Sequence, residues 1–193
     1  MSLNIGLEKA IVSLESEKYD SIFYSLESDQ KKDFMILVDQ DYFVTGTFCK
    51  YKDTVWLYMG EGDPSEKLGK YCYPFFSMII PAMVKDYAGN RKRVNLRFPK
   101  TGAKQLVSIA SALDQKNRST EGLLITVETF KNKSYIEYKI TTENKFYKLP
   151  KEFDKNEWLK EFSNSIIQSS DPNDILTLLG KESIDSMESE NEF

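Results

Sequence analysis

Three stretches of this chain alternate apolar and polar residues one by one. Val55, Leu57 and Met59 interleave with Trp56 and Tyr58, and Val94, Leu96 and Phe98 with Arg93, Asn95 and Arg97. Ile136, Tyr138 and Ile140 do the same with Tyr135, Glu137 and Lys139. A period of two sends successive side chains to opposite faces, so each stretch predicts a strand with one face in the core. If the aliphatic members point inward, then Trp56, Tyr58, Arg93, Arg97, Tyr135 and Lys139 point outward.

Other segments fill in around these strands. Asp33–Val38 and Tyr42–Tyr51 are rich in β-branched and aromatic residues, and the polar Asp39-Gln40-Asp41 between them predicts a hairpin. Gly60–Gly69 reads as a polar loop, and residues 75–88 as a helix kinked at Pro81. Ala103, Leu106, Val107, Ala110 and Leu113 form a helical stripe within Gly102–Leu113. Gly122–Thr129 and Ser134–Thr141 predict a second hairpin around Lys131-Asn132-Lys133. Asp154 with Glu157 resembles a capping box ahead of Trp158 and Phe162, and Asp171-Pro172 opens a last short helix. Near the start, Leu3, Leu7, Ile11 and Leu14 form a stripe that packs on the body or on a second copy of the chain. The expected fold is mainly β, an OB-like β-barrel of antiparallel strands with flanking helices; an α+β antiparallel sheet is the alternative. The expected organisation is a helical segment at 1–30, the β core at 31–150, helices at 151–180 and an acidic tail at 181–193.

Charge is unevenly distributed. The chain carries a net −4, yet residues 42–151 hold 19 Lys and Arg against 10 Asp and Glu, between acidic ends. That asymmetry suggests a surface for a polyanion. There is no histidine, which excludes Ser-His-Asp and Cys-His nucleophile systems and imidazole-bound zinc. Cys49 and Cys72 make no disulfide framework and suit a reducing cytoplasm, the expected location. No run reaches the roughly 18 to 20 apolar residues of a membrane span, and the first residues lack the basic region of a signal peptide. No cofactor and no resident metal are expected.

Exposed rings interleaved with cations suit a single nucleic-acid strand, because bases stack on the rings while cations track the phosphates. The candidates are Trp56, Tyr58, Arg93, Arg97, Tyr135 and Lys139, extended by Lys50, Lys52, Lys67, Lys70, Arg91, Lys92, Lys100 and Lys104. The densest cluster is Arg91, Lys92, Arg93, Arg97 and Lys100, five cations in ten residues with no acid among them. At the other extreme, the twelve residues from Glu182 hold five carboxylates, including Asp185, Glu188, Glu190 and Glu192, and close on the aromatic Phe193.

Three segments carry a resemblance. They are the run Arg93 to Lys100 (RVNLRFPK) leading into the helix at Gly102, the hairpin from Gly122 to Ile140 (GLLITVETFKNKSYIEYKI), and the acidic tail ending in Phe193. Together they resemble phage and plasmid single-stranded DNA-binding proteins, with Asn132 standing where the hairpin turn of that group has glycine. The resemblance implies an OB-like fold and sequence-tolerant binding of single-stranded DNA without catalysis, in the host cytoplasm if phage-encoded. It also implies that Asp185, Glu188, Glu190, Glu192 and Phe193 recruit replication or recombination proteins. One alternative is a Mg²⁺-dependent nuclease, in which Glu137 and Lys139 share a strand face and Asp114 or Glu128 adds a ligand. Another is an inhibitor or interaction protein that mimics nucleic acid, which the basic middle argues against.

Overall fold

A computed structural model of the chain describes residues 22–51, 54–69, 72–86, 89–133, 135–166 and 172–178. The stripe at residues 3–14, Lys52, Lys70 and the whole acidic tail with Asp185, Glu188, Glu190, Glu192 and Phe193 lie outside the described residues.

The protein is mainly β, an antiparallel sheet of seven strands with a few helices. The strands are β1 (Lys31–Ile36), β2 (Val44–Tyr51), β3 (Thr54–Leu57), β4 (Phe75–Lys85), β5 (Arg91–Phe98), β6 (Leu124–Asn132) and β7 (Tyr135–Thr141). The helices are α1 (Pro64–Leu68), α2 (Lys100–Asp114), α3 (Lys155–Asn164) and α4 (Pro172–Leu178). No described helix is long and apolar enough to cross a membrane.

Long β4 organises the sheet. Val84 pairs with Phe34 on one side and Lys92 on the other, and Ile79 with Val44 and Arg97. So β1 and β2 lie end to end along one edge of β4, and β5 lies along the other. Two sequence expectations fail here. β1 and β2 do not form a hairpin, because Asp39 accepts from the Asp41 N–H and caps a 3-10 turn at Gln40–Tyr42. That turn carries the chain onward rather than back. Residues 75–85 are a strand and not a kinked helix. The continuous apolar run is buried on both faces, a pattern that periodicity alone does not separate from a buried helix. Pro81 is tolerated because it falls where β4 passes from β2 to β1; its carbonyl accepts from Leu37 N–H at 3.1 Å, and its missing donor breaks no regular pair.

The inner face holds the core. Phe34 lies between Val84 and Ile125, Ala82 faces Val94, and Ile80 faces Leu96, all buried. Leu106 and Ala103 of α2 complete it. The sheet is open: no described pairing joins β5 to β7. α2 occupies the gap instead, its Gln105 amide donating to Tyr138 O and accepting from Ile140 N–H in place of a neighbouring strand. Gly102 lets the helix sit that deep, since a Cβ there would lie 3.1 Å from the Phe98 ring. Phe98 and Tyr138 meet edge to face across the gap, 6.3 Å between centroids.

Part of the outer face is covered as well. Phe23 packs edge-on against Phe48 and Phe75 and reaches Phe162 of α3, which stacks on Trp158. The Trp158 indole donates to Asn95 at 2.9 Å, pinning α3 over the middle of β5. Asp154 starts α3 as its sequence predicts, accepting from Asn156 and Glu157 N–H.

Candidate nucleic-acid interface

With α3 over its middle, no described element covers the outer face at the far end of the β4–β5 hairpin or across β1, β6 and β7. The pairing register fixes which residues share that open face, because directly opposed residues point the same way. One row runs Arg93–Met83–Met35–Leu124 across β5, β4, β1 and β6. Beside it Lys85 lies directly opposite Arg91. Another row runs Lys31–Glu128–Lys139. Five adjacent strands at about 4.8 Å each make this surface about 19 Å wide from β5 to β7.

The pair Lys85 and Arg91 is the unusual feature. Both are exposed, and neither has a carboxylate within 4 Å among the described residues. Like charges directly opposed across a ladder are destabilising, so the fold gains nothing from this placement. Further along the face Lys139 and Lys31 both oppose Glu128, one acid between two cations, with no ion pair within 4 Å among the described residues. Arg93 points the same way as Arg91 and pairs with Glu161 of α3 at 3.0 Å, both side chains about half exposed. Exposed ion pairs of this kind contribute only about 0–1 kcal/mol, so Glu161 holds the Arg93 guanidinium weakly.

Behind Lys85 and Arg91 the face sinks into a recess floored by Met35, Met83 and Leu124 and walled by Tyr147. Further along β6–β7, Phe130 and Tyr135 are exposed. The Tyr135 hydroxyl donates to Glu137 at 3.1 Å, and that hydrogen bond raises its pKa.

The remaining sequence candidates separate. Trp56 is fully buried and offers no ring to a base. The expected alternation of β3 fails: Val55 is buried in the main core, but Leu57, expected inward, is exposed, and the side of Trp56 is roofed by Leu68 of α1, Cys72 and Ile175 of α4, with Met59 packed against it. The Trp56 indole points at the buried carboxylate of Asp63, which also accepts from Met59 and Ser65 N–H at 2.8 Å and caps α1. The expected polar loop at 60–69 therefore contains a short helix. Arg97 does face outward, but it lies under the covered part: it donates to Ser77 at 2.7 Å and stacks 4.4 Å over Phe75, where burial lowers its pKa. Lys92 faces the opposite side of β5 from Arg91 and Arg93, as a period of two requires. Tyr58 is exposed just past the end of β3, Lys50 is exposed at the end of β2, Lys67 on α1, and Lys100 and Lys104 on the first turns of α2. None of these five lies on the β5–β4–β1–β6–β7 rows. The structure thus brings together Arg91, Arg93, Tyr135 and Lys139 on one face and disperses the others.

Lys85 and Tyr147 were missed. Lys85 was hidden because residues 75–88 read as a helix; once they are a strand, its place opposite Arg91 follows from the hairpin. Tyr147 carries no periodic signal. It is placed by Gly122, whose φ of +79° and closeness to the Tyr147 carbonyl leave no room for a Cβ. Of the nuclease candidates, Glu137 and Lys139 do share a face, but Asp114 accepts from Gln40 at the end of α2. Among the described residues no three His, Cys, Asp or Glu side chains are grouped to hold a metal ion. No protein-family model matches the chain, and no curated protein matches it in sequence.

Proposed function

We propose that this chain binds single-stranded DNA, with little sequence preference and no catalysis, on the open outer face from β5 to β7. The observation that carries the reading is the directly opposed pair Lys85–Arg91, without a carboxylate within 4 Å among the described residues, with Arg93 one row away under a weak ion pair. Exposed Tyr135, Phe130 and Tyr147 supply rings on the same side. A strand stacks on such rings for about 1–3 kcal/mol per base while cations follow its phosphates.

Connectivity supports an OB-type reading of the sheet. Taken as one interrupted strand, β1–β2 pairs with the second long strand β4 and also with β6, and a helix separates β5 from β6. An OB-fold is a partly open five-stranded barrel that binds on its second and third strands and on the loop joining its last two. Those correspond to β4, β5 and the β6–β7 turn, where the exposed cations and rings lie. Recruitment of replication or recombination proteins by the acidic residues from Glu182 onward rests on the sequence resemblance alone. The two free thiols, Cys49 and Cys72, suit work in a reducing cytoplasm.

The test is fluorescence anisotropy of the full chain with labelled oligo-dT and with a duplex across a salt series. Engagement of Lys85, Arg91 and Arg93 gives a log–log salt slope of about −2, at roughly 0.7 per phosphate contact on a single strand. Single strands bind tighter than duplex. Absence of binding, or an affinity indifferent to salt, overturns the proposal.

A further inference from the structure

The recess behind Lys85 and Arg91 is unlike the rest of the wet face. It encloses about 380 Å³, within the range of about 300–1,000 Å³ of small-molecule sites. Its floor of Met35, Met83 and Leu124 is apolar, although each points to the solvent side of the sheet. Tyr147 forms a wall with its ring half exposed, at 51%. That wall is fixed by backbone: Tyr147 N–H donates to Gly122 O at 2.8 Å and Leu124 N–H to Lys145 O at 2.9 Å. One acid, Asp33, lines the recess. Its Oδ1 accepts from the Thr126 hydroxyl at 2.6 Å, which orients the carboxylate, and its Oδ2 has no partner among the described residues.

A flat heterocycle fits this combination better than an aliphatic ligand or a bare phosphate does. The methionines and Tyr147 offer soft apolar surface to a ring, and the two cations at the mouth sit where an attached phosphate emerges. A carboxylate on a surface that attracts phosphates repels the backbone, so its use is with a donor on the base edge. A carboxylate accepts from the N4 amino group of cytosine; thymine presents a carbonyl at the same position, which Asp33 repels.

We propose that the recess takes one unstacked base of the bound strand and that Asp33 reads its exocyclic amino group, favouring cytosine over thymine. The site rests on the single-strand reading above and adds one anchored nucleotide to otherwise tolerant binding. A single charge-assisted hydrogen bond gives a preference on the order of tenfold.

The experiment compares a twelve-residue oligo-dT with the same oligomer carrying one central dC, by anisotropy at fixed salt, for the full chain and two variants. The unaltered protein binds the dC oligomer about tenfold tighter. Asp33→Asn loses that preference, because its amide donates to the thymine carbonyl, and it leaves oligo-dT affinity equal or higher. Tyr147→Leu weakens both oligomers at least about fivefold with an unchanged thermal midpoint, since the ring is exposed and the strand contacts are backbone. Equal, salt-sensitive binding of the two oligomers by the unaltered protein overturns the base site and leaves the DNA reading standing. So does a preference that survives Asp33→Asn. Failure to bind either oligomer ends both.

Discussion

Replacing Lys85 and Arg91 together with glutamine separates function from stability, because the two effects have opposite signs. The side chains are directly opposed across the β4–β5 ladder with no carboxylate within 4 Å among the described residues. Charged tips about 6 Å apart in water repel by about 0.7 kcal/mol before salt screening, in line with roughly 0.2–1 kcal/mol for a like-charged cross-strand pair. Removing the pair therefore raises the thermal midpoint by up to about 4 °C in a chain of this size. Binding moves the other way. Two lost phosphate contacts reduce the salt slope by about 1.4 and, extrapolated from 1 M, weaken oligo-dT affinity about 25-fold at 0.1 M salt. Differential scanning fluorimetry and an anisotropy titration over 50–300 mM salt read both. A double variant that melts lower, or that keeps the original slope, refutes the reasoning: in the first case the pair stabilises the fold, in the second it does not meet phosphates.

Other consequences are simpler. Glu161→Gln frees Arg93 and tightens oligo-dT binding about two- to fivefold, with stability changed by no more than about 1 kcal/mol, both by titration. Gly122→Ala drives a Cβ into the Tyr147 carbonyl oxygen at a φ of +79°, so denaturant unfolding shows a loss of more than about 2 kcal/mol and the Tyr147 wall shifts. Asp63→Ala strands the half-buried Met59 and buried Ser65 N–H donors and the Trp56 indole, costing about 2–4 kcal/mol by the same measurement while oligo-dT affinity of the folded fraction is unchanged. Burial pushes the Cys49 thiol up to about 12, against 9.0 without it. The folded state then holds a proton that the unfolded chain sheds above pH 9, so stability falls from about pH 9 toward pH 12, and a Cys49→Ala variant loses part of that fall.

The strands that alternate were legible and the surfaces that cover them were not. Val94, Leu96 and Phe98 face the core, and on β7 Ile140 and half-buried Tyr138 follow the same rule, because one wet face leaves a period of two in the residues; Ile136, expected inward with them, is exposed beside the β6–β7 turn. β3 reverses its expected pattern: Leu57 is exposed, and Trp56 is buried because α1 and α4 roof the side expected to be wet. Nothing local to Thr54–Met59 encodes that roof. β4 was unreadable for a related reason: buried on both faces and interrupted by Pro81, its run carries neither period. Arg93 and Arg97 are equivalent in sequence, and only the docking of Trp158 onto Asn95 between them separates a usable cation from a structural one.

Backbone amide chemical shifts of the isotopically labelled full chain, followed while oligo-dT is added at 50 mM salt, test the choice of face most directly. The account predicts the largest changes at Met83–Lys85, Arg91–Arg93, Leu124–Glu128 and Tyr147, with those near Trp56, Lys67 and Lys100 unmoved. Shifts concentrated around Tyr58, Lys100 and Lys104 instead, or no saturable shifts, contradict it.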